Sequence, residues 1–147
     1  MVRSTAIEII ARRLSLNSGR VAALAQRAAE AGELPKACGR SIPDLAPIGL
    51  ARLLICAICD RGLGNAATGV REFAALRSYG ASALIDLMEG WMSGTVSVTG
   101  VHSLIVQLNP AAVSIITDHD RLHYGAPREH NAAAHITPQS QSSAIGF

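Results

Sequence analysis

Apolar residues recur at helical spacing twice in the first thirty positions. Ile7, Ile10, Ala11 and Leu14 stand at i, i+3, i+4 and i+7, and Val21, Leu24, Ala25 and Ala28 repeat the interval, so Thr5 to Gly32 predicts two short helices with one apolar stripe each. Both stripes must face a common core. Between them Ser15-Leu16-Asn17-Ser18 predicts a tight polar turn, with Leu16 as its buried anchor and Asn17 and Ser18 as N-cap candidates for the second helix. Gly32 is expected to close that helix, and Leu34-Pro35 to block its continuation. The stretch Pro35 to Pro43 lacks the period-2 alternation of a two-stranded wing and predicts an irregular loop.

Farther along, Asp44 is a plausible N-cap for a helix to about Cys59, with Pro47 in its first turn, where a missing N–H costs little. That helix is apolar almost all round, which predicts central burial or a subunit interface. Arg61-Gly62-Leu63-Gly64 breaks it, Asn65 is expected to cap a segment from Ala66 to Ser78, and Gly69 weakens that segment. Ser82 is expected to cap a further helix carrying Leu84, Leu87, Met88 and Trp91 on one stripe, widened by Ile85 and Met92. From Thr95 the grammar changes to alternation of Val and Leu with Ser, Thr and His. Asn109-Pro110 predicts a turn, Ala112 to Thr117 a strand, Asp118-His119-Asp120 a second turn and Arg121 to Tyr124 a return strand.

The expected architecture is mainly α with a small C-terminal antiparallel β element, an α+β fold. Its parts are a two-helix head over 1–40, a helical core and oligomerisation region over 41–93, the β element over 94–125 and a flexible tail over 126–147. The two wide apolar helices, 45–59 and 82–92, are the expected contacts of a homo-oligomer.

Ile9 to Gln26 resembles the helix-turn-helix family of DNA-binding units. Ala11 stands where the first helix needs a small residue, Leu16 at the hydrophobic turn position, and Val21 and Leu24 at the apolar anchors of the recognition helix. The sequence departs from the family at Ser15, where glycine is usual. The resemblance implies that double-stranded DNA is the partner, met by the start and outer face of the second helix: Asn17, Ser18, Gly19, Arg20, Ala22, Ala23, Gln26 and Arg27. Asn17 and Gln26 carry amides able to address adenine, and Arg20 and Arg27 reach phosphate or guanine. Gly19, Ala22 and Ala23 offer no hydrogen bonds, so phosphate contacts and DNA shape are expected to outweigh base readout. In the order of its parts the chain also resembles the small terminase subunits of tailed bacteriophages, which implies a packaging factor as an alternative to a transcriptional regulator. A protein-interaction module that never meets nucleic acid is the rival of a different class.

Composition changes this picture in two ways. Apolar residues make up 49% of the 147 and aromatic residues 3%, so Ala, Leu, Ile and Val must build the core and closely packed helices are favoured. The net charge of +2 is unevenly spread: residues 1–40 carry seven basic against three acidic side chains, and the remainder six against eight. The positive half coincides with the head, as a phosphate partner requires. After Met1-Val2-Arg3 the polar residues Glu8, Arg12 and Arg13 interrupt any apolar run, and Leu53 to Cys59 is far too short to span a membrane, so a soluble cytoplasmic protein is expected. Three cysteines fit a reduced compartment.

No enzyme chemistry is expected. Cys56-Ala57-Ile58-Cys59 has the spacing of a redox or zinc pair, but it ends an apolar helix and has no matching pair, so both cysteines read as small buried hydrophobes. His119 and His123 are four apart, yet the intervening turn removes the shared helix face that a metal would need. No metal or cofactor is expected.

Overall fold

The computed structural model describes residues 1–41, 43–78, 82–125 and 142–146. Among the described residues are five α-helices, the first strand lying between the fourth and fifth of them: α1 (Arg3–Leu14), α2 (Ser18–Glu30), α3 (Pro47–Ile58), α4 (Ala66–Ala74) and α5 (Leu84–Ser93). Five strands complete the fold: β1 (Arg77–Ser78), β2 (Val101–Gln107), β3 (Ala112–Thr117), β4 (Arg121–Gly125) and β5 (Ser142–Gly146). The strands form one antiparallel sheet in the order β1-β4-β3-β2-β5. The fold is the mainly helical α+β class expected from the hydrophobic pattern.

α1 ends in a Schellman closure. Ser15 lies in the left-handed region at φ 54°, its N–H donates to the Arg12 carbonyl, and Leu16 N–H donates to the Ala11 carbonyl at 2.8 Å. A serine thus occupies the conformation for which glycine is usual. The closure turns Leu16 away from the core: its side chain is 38% exposed, against the expectation of a buried anchor. α2 ends the same way on Gly32 at φ 86°, with Gly32 N–H and Glu33 N–H donating to the Ala29 and Ala28 carbonyls.

The expected caps farther along are corrected. α3 starts at Pro47 behind Ala46, and Asp44 instead forms a backbone bridge with Val2 near the chain start. Asn65 ends a single 3-10 turn and stands before α4 as expected, but its amide donates to the Arg61 carbonyl at 3.0 Å and makes no cap bond. α4 stops at Ala74, and Arg77–Ser78, expected as its last turn, pair with β4 as the edge strand β1. Ala83, in place of Ser82, precedes α5, and the Asp86 carboxylate accepts its N–H at 3.1 Å. Gly69, expected to weaken α4, is buried 3.7 Å from the Cys59 carbonyl, as measured to the position a Cβ would take.

Two apolar clusters share α3. Leu53, Cys56 and Ala57 face α1 and α2, joining Ala6, Ala11, Val21, Leu24, Ala25 and Ala28. Ala51, Leu54, Ile55 and Ile58 join Phe73, Leu84 and Met88 and the inner sheet residues Leu104, Val106, Val113, Ile115 and Tyr124. An all-round apolar helix is therefore satisfied inside its own chain. α5 likewise buries Leu84 and Met88, with Ile85, Leu87, Trp91 and Met92 half-buried against the same cluster. The apolarity of both helices has an intramolecular cause.

In the sheet, alternation decides the face: Leu104 and Val106 on β2 and Val113 and Ile115 on β3 are fully buried, while Ile105 and Ile116 between and beyond them are half-buried. Residues 142–146, expected within a flexible tail, pair with β2 from Ser103↔Gly146 to Gln107↔Ser142. The rest of that segment, 126–141 and 147, lies outside the described residues.

Candidate nucleic-acid interface

The site grows from the first turn of α2. Asn17 has extended backbone, and its Oδ1 accepts from Arg20 N–H at 2.9 Å, satisfying one of the free donors at the helix start. Gly19 belongs to the same cap: a Cβ there would stand 3.1 Å from Asn17 Oδ1, crowding the capping oxygen. Val21, Leu24, Ala25, Ala28 and Ala29 point inward, which leaves Gly19, Arg20, Ala22, Gln26 and Arg27 on the open face. Ser18 and Ala23 are half-buried.

Arg20 is not free. Its Nε donates to Asp60 Oδ2 at 2.8 Å and its Nη2 to Asp60 Oδ1 at 2.9 Å, a bidentate pair reaching from α2 to the end of α3. Asp60 is itself held by Gly62 N–H, which donates to Oδ1 at 2.9 Å. The physical need is local: the first turn of α2 contains no acidic residue, and a cation beside the positive end of a helix is unfavourable. Asp60 supplies the missing negative charge.

The hydrogen bond from Arg20 holds the Asp60 carboxyl below its ordinary range, outweighing burial, which acts the other way. A carboxyl whose folded value is depressed stabilises the fold above its unfolded value, about 3.9, and loses that contribution as pH falls through the folded value. The urea midpoint of Asp60→Asn is therefore expected below that of the wild type at neutral pH, with the gap closing under acid conditions. An equal gap at both pH values contradicts the linkage.

The remaining polar side chains of α2 are engaged among themselves. Gln26 Nε2 donates to Glu30 Oε1 at 3.1 Å, and its Oε1 accepts from Arg3 Nη2 at 3.4 Å. Arg27 Nη1 lies 4.0 Å from Glu30 Oε2, with more than half of each side chain exposed. The two residues that sequence reasoning left out of the site are Arg12 and Arg13, in the last turn of α1. Both are exposed beside the turn, and among the described residues neither has a hydrogen bond or ion pair. Their helix-terminal position was legible in the sequence; Asp60, forty residues from Arg20, had no local signal.

Elsewhere the chemistry is structural. Cys56 and Cys59 are buried and free, and burial pushes the Cys56 thiol up to about 12 and raises that of Cys59 too. Thiols of that kind are poor nucleophiles and poor metal ligands at neutral pH. His102 pairs with Asp118 across the sheet end, and Ser114 Oγ lies 3.1 Å from His123 Nδ1 in the cross-strand register Ser114↔His123. Among the described residues no three His, Cys, Asp or Glu side chains gather closely enough to hold a metal ion, and no helix is long and apolar enough to cross a membrane.

No family model, curated protein or solved structure matches the chain. The geometry of the α1–α2 unit therefore carries the functional reading.

Proposed function

We propose that the chain is a non-enzymatic DNA-binding protein whose α1–α2 unit is a helix-turn-helix, with α2 as the helix offered to the major groove. The observation that carries this is the turn itself: Ser15 in the left-handed conformation, closed by the Leu16 to Ala11 bond and followed at once by the Asn17 cap. A serine held there, where glycine would be relaxed, keeps the start of α2 at a defined angle to α1. Around that start lie Arg12, Arg13 and Arg20, and Arg27 follows in the last turn of α2, all exposed. Arg12 and Arg13 are the phosphate contacts in this reading, because among the described residues neither has an acidic partner.

Fluorescence anisotropy with a duplex of mixed sequence tests it. Binding is expected at about 50 mM salt and should weaken steeply as salt rises. Replacing both Arg12 and Arg13 by Ala should lower the slope of log affinity against log salt by about 1.8, since each phosphate contact contributes about 0.9. An absence of binding at low salt, or a slope untouched by the double substitution, speaks for a module that joins proteins only.

A further inference from the structure

Resting on that reading, we infer that Arg20 is a reader of guanine rather than a phosphate clamp, and that Asp60 is the residue that positions it.

A guanidinium has five N–H donors in a fixed planar fork. Arg20 uses the side edge of that fork, Nε and Nη2, on the two oxygens of Asp60. The end of the fork, with both hydrogens of Nη1 and the second hydrogen of Nη2, remains available, and 43% of the side chain is exposed. Two parallel donors on that end match O6 and N7 of guanine in the major groove. Asp60 is tied to Gly62 N–H, so the plane of the fork is fixed before DNA arrives and little rotamer freedom is left to lose.

The charge balance separates guanine from phosphate. An arginine paired with a carboxylate presents almost no net charge at a distance, so the Coulomb attraction that makes a phosphate contact rewarding is largely cancelled. Directional donation to a neutral base edge survives the pairing. A phosphate clamp would be served by an arginine such as Arg12 or Arg13, exposed and without an acidic partner. Arg20 is also in the first turn of α2, where a recognition helix brings side chains to base edges. The small residues Gly19, Ala22 and Ala23 around it add no donors, which leaves Arg20 as the charged, forked donor of that turn beside the amide of Asn17.

The test uses the full chain and duplexes with a randomised core, taken through rounds of selection, with the enriched duplex and a scrambled one then compared by anisotropy. The enriched sequences are expected to share an unvarying guanine. Replacing it with 7-deazaguanine, which removes only the N7 acceptor, should weaken wild-type binding by roughly 5- to 150-fold and weaken Arg20→Ala no further. Arg20→Ala should lose affinity for the enriched duplex alone, with its salt slope unchanged. Asp60→Asn frees the charge of Arg20 and unlocks its fork, so it should tighten the scrambled duplex somewhat through phosphate attraction while shrinking the preference for the enriched one. Arg20→Lys keeps the charge but lacks the fork, and should behave like Arg20→Ala; this reading stands if Asp60→Asn fails to fold.

The inference is overturned if Arg20→Ala weakens both duplexes equally and reduces the salt slope by about 0.9, the signature of a phosphate contact. It is equally overturned if Asp60→Asn leaves the preference for the enriched duplex unchanged or enlarges it, which would mean that Asp60 does not position the fork. Wild-type protein that binds no duplex removes the DNA reading and this inference with it; the other two outcomes remove the inference alone.

Discussion

Phe73→Ala is expected to destabilise the fold by about 3–5 kcal/mol, the range for removing a large aromatic ring from a core. Phe73 is fully buried, and with aromatics at 3% of the chain it has few counterparts to close over the space it would leave. It stands where α4 meets α3, α5 and the sheet, in the cluster that contains Ile55, Leu84, Met88 and Val113. The ring also carries a cation: the Arg61 guanidinium carbon lies 5.3 Å from its centroid. Arg61 reaches onward to Glu72 at 2.6 Å and to the Leu108 carbonyl at 3.4 Å, so it ties the end of α3 to α4 and to the β2–β3 turn. Losing the ring removes its apolar contacts and one of the supports of this arginine together. Against the 5–15 kcal/mol typical of a domain, the loss is a large fraction, and the thermal midpoint should fall by roughly 10 °C or more. Urea unfolding with an unchanged m-value checks it; a loss under about 1 kcal/mol would mean that the cluster does not close around Phe73.

The second large effect is expected from making a residue bigger. Ala25→Leu should cost about 1–3 kcal/mol or more, because Ala25 is fully buried where α2 packs against α1, α3 and α4, and helices spaced by alanine leave no room for a branched side chain. Ala22→Leu, one turn earlier on the exposed face of the same helix, is the control and should stay within about 0.5 kcal/mol. The comparison separates packing from helix propensity, since leucine is nearly as good a helix former as alanine. Equal effects at the two positions would show that α2 is not held by its alanine face.

The helices, their inward stripes and the C-terminal change to strands were legible because each is a local periodicity. Val21, Leu24, Ala25 and Ala28 lie on one side of any helix that contains them, and Val113 and Ile115 on one side of any strand. Helix starts were harder to place. Asp44, Asn65 and Ser82 all have the chemistry of a cap, but a cap is a competition among neighbours: the starts expected after Asp44 and Ser82 moved by two residues and by one, and Asn65 kept its place before α4 without making the cap bond. The short β1 was illegible: two residues, Arg77 and Ser78, become a strand only because β4 is there to pair with them. The last strand was read as tail for the same reason, since Ser142–Gly146 has its partner in β2, some forty residues earlier.

The sequence by itself determined a basic two-helix head, an alanine-rich core and the α+β class, because composition and period are properties of a chain before it folds. What only the tertiary structure decided is where the charges and the surplus apolarity go. α3 could be read as a central helix or as an interface, and in the fold it is a shared wall between two clusters, because burial depends on what surrounds a helix on every side. Leu16 looked buried and was turned outward by the left-handed Ser15. Arg20 looked like a free cation and was met by Asp60 across forty residues, because an ion pair needs two groups brought within about 3 Å, and sequence distance says nothing about that. Arg12 and Arg13 drew no partner among the described residues. The division of the head into charged and neutralised arginines, on which the proposed recognition depends, belongs to the folded chain alone.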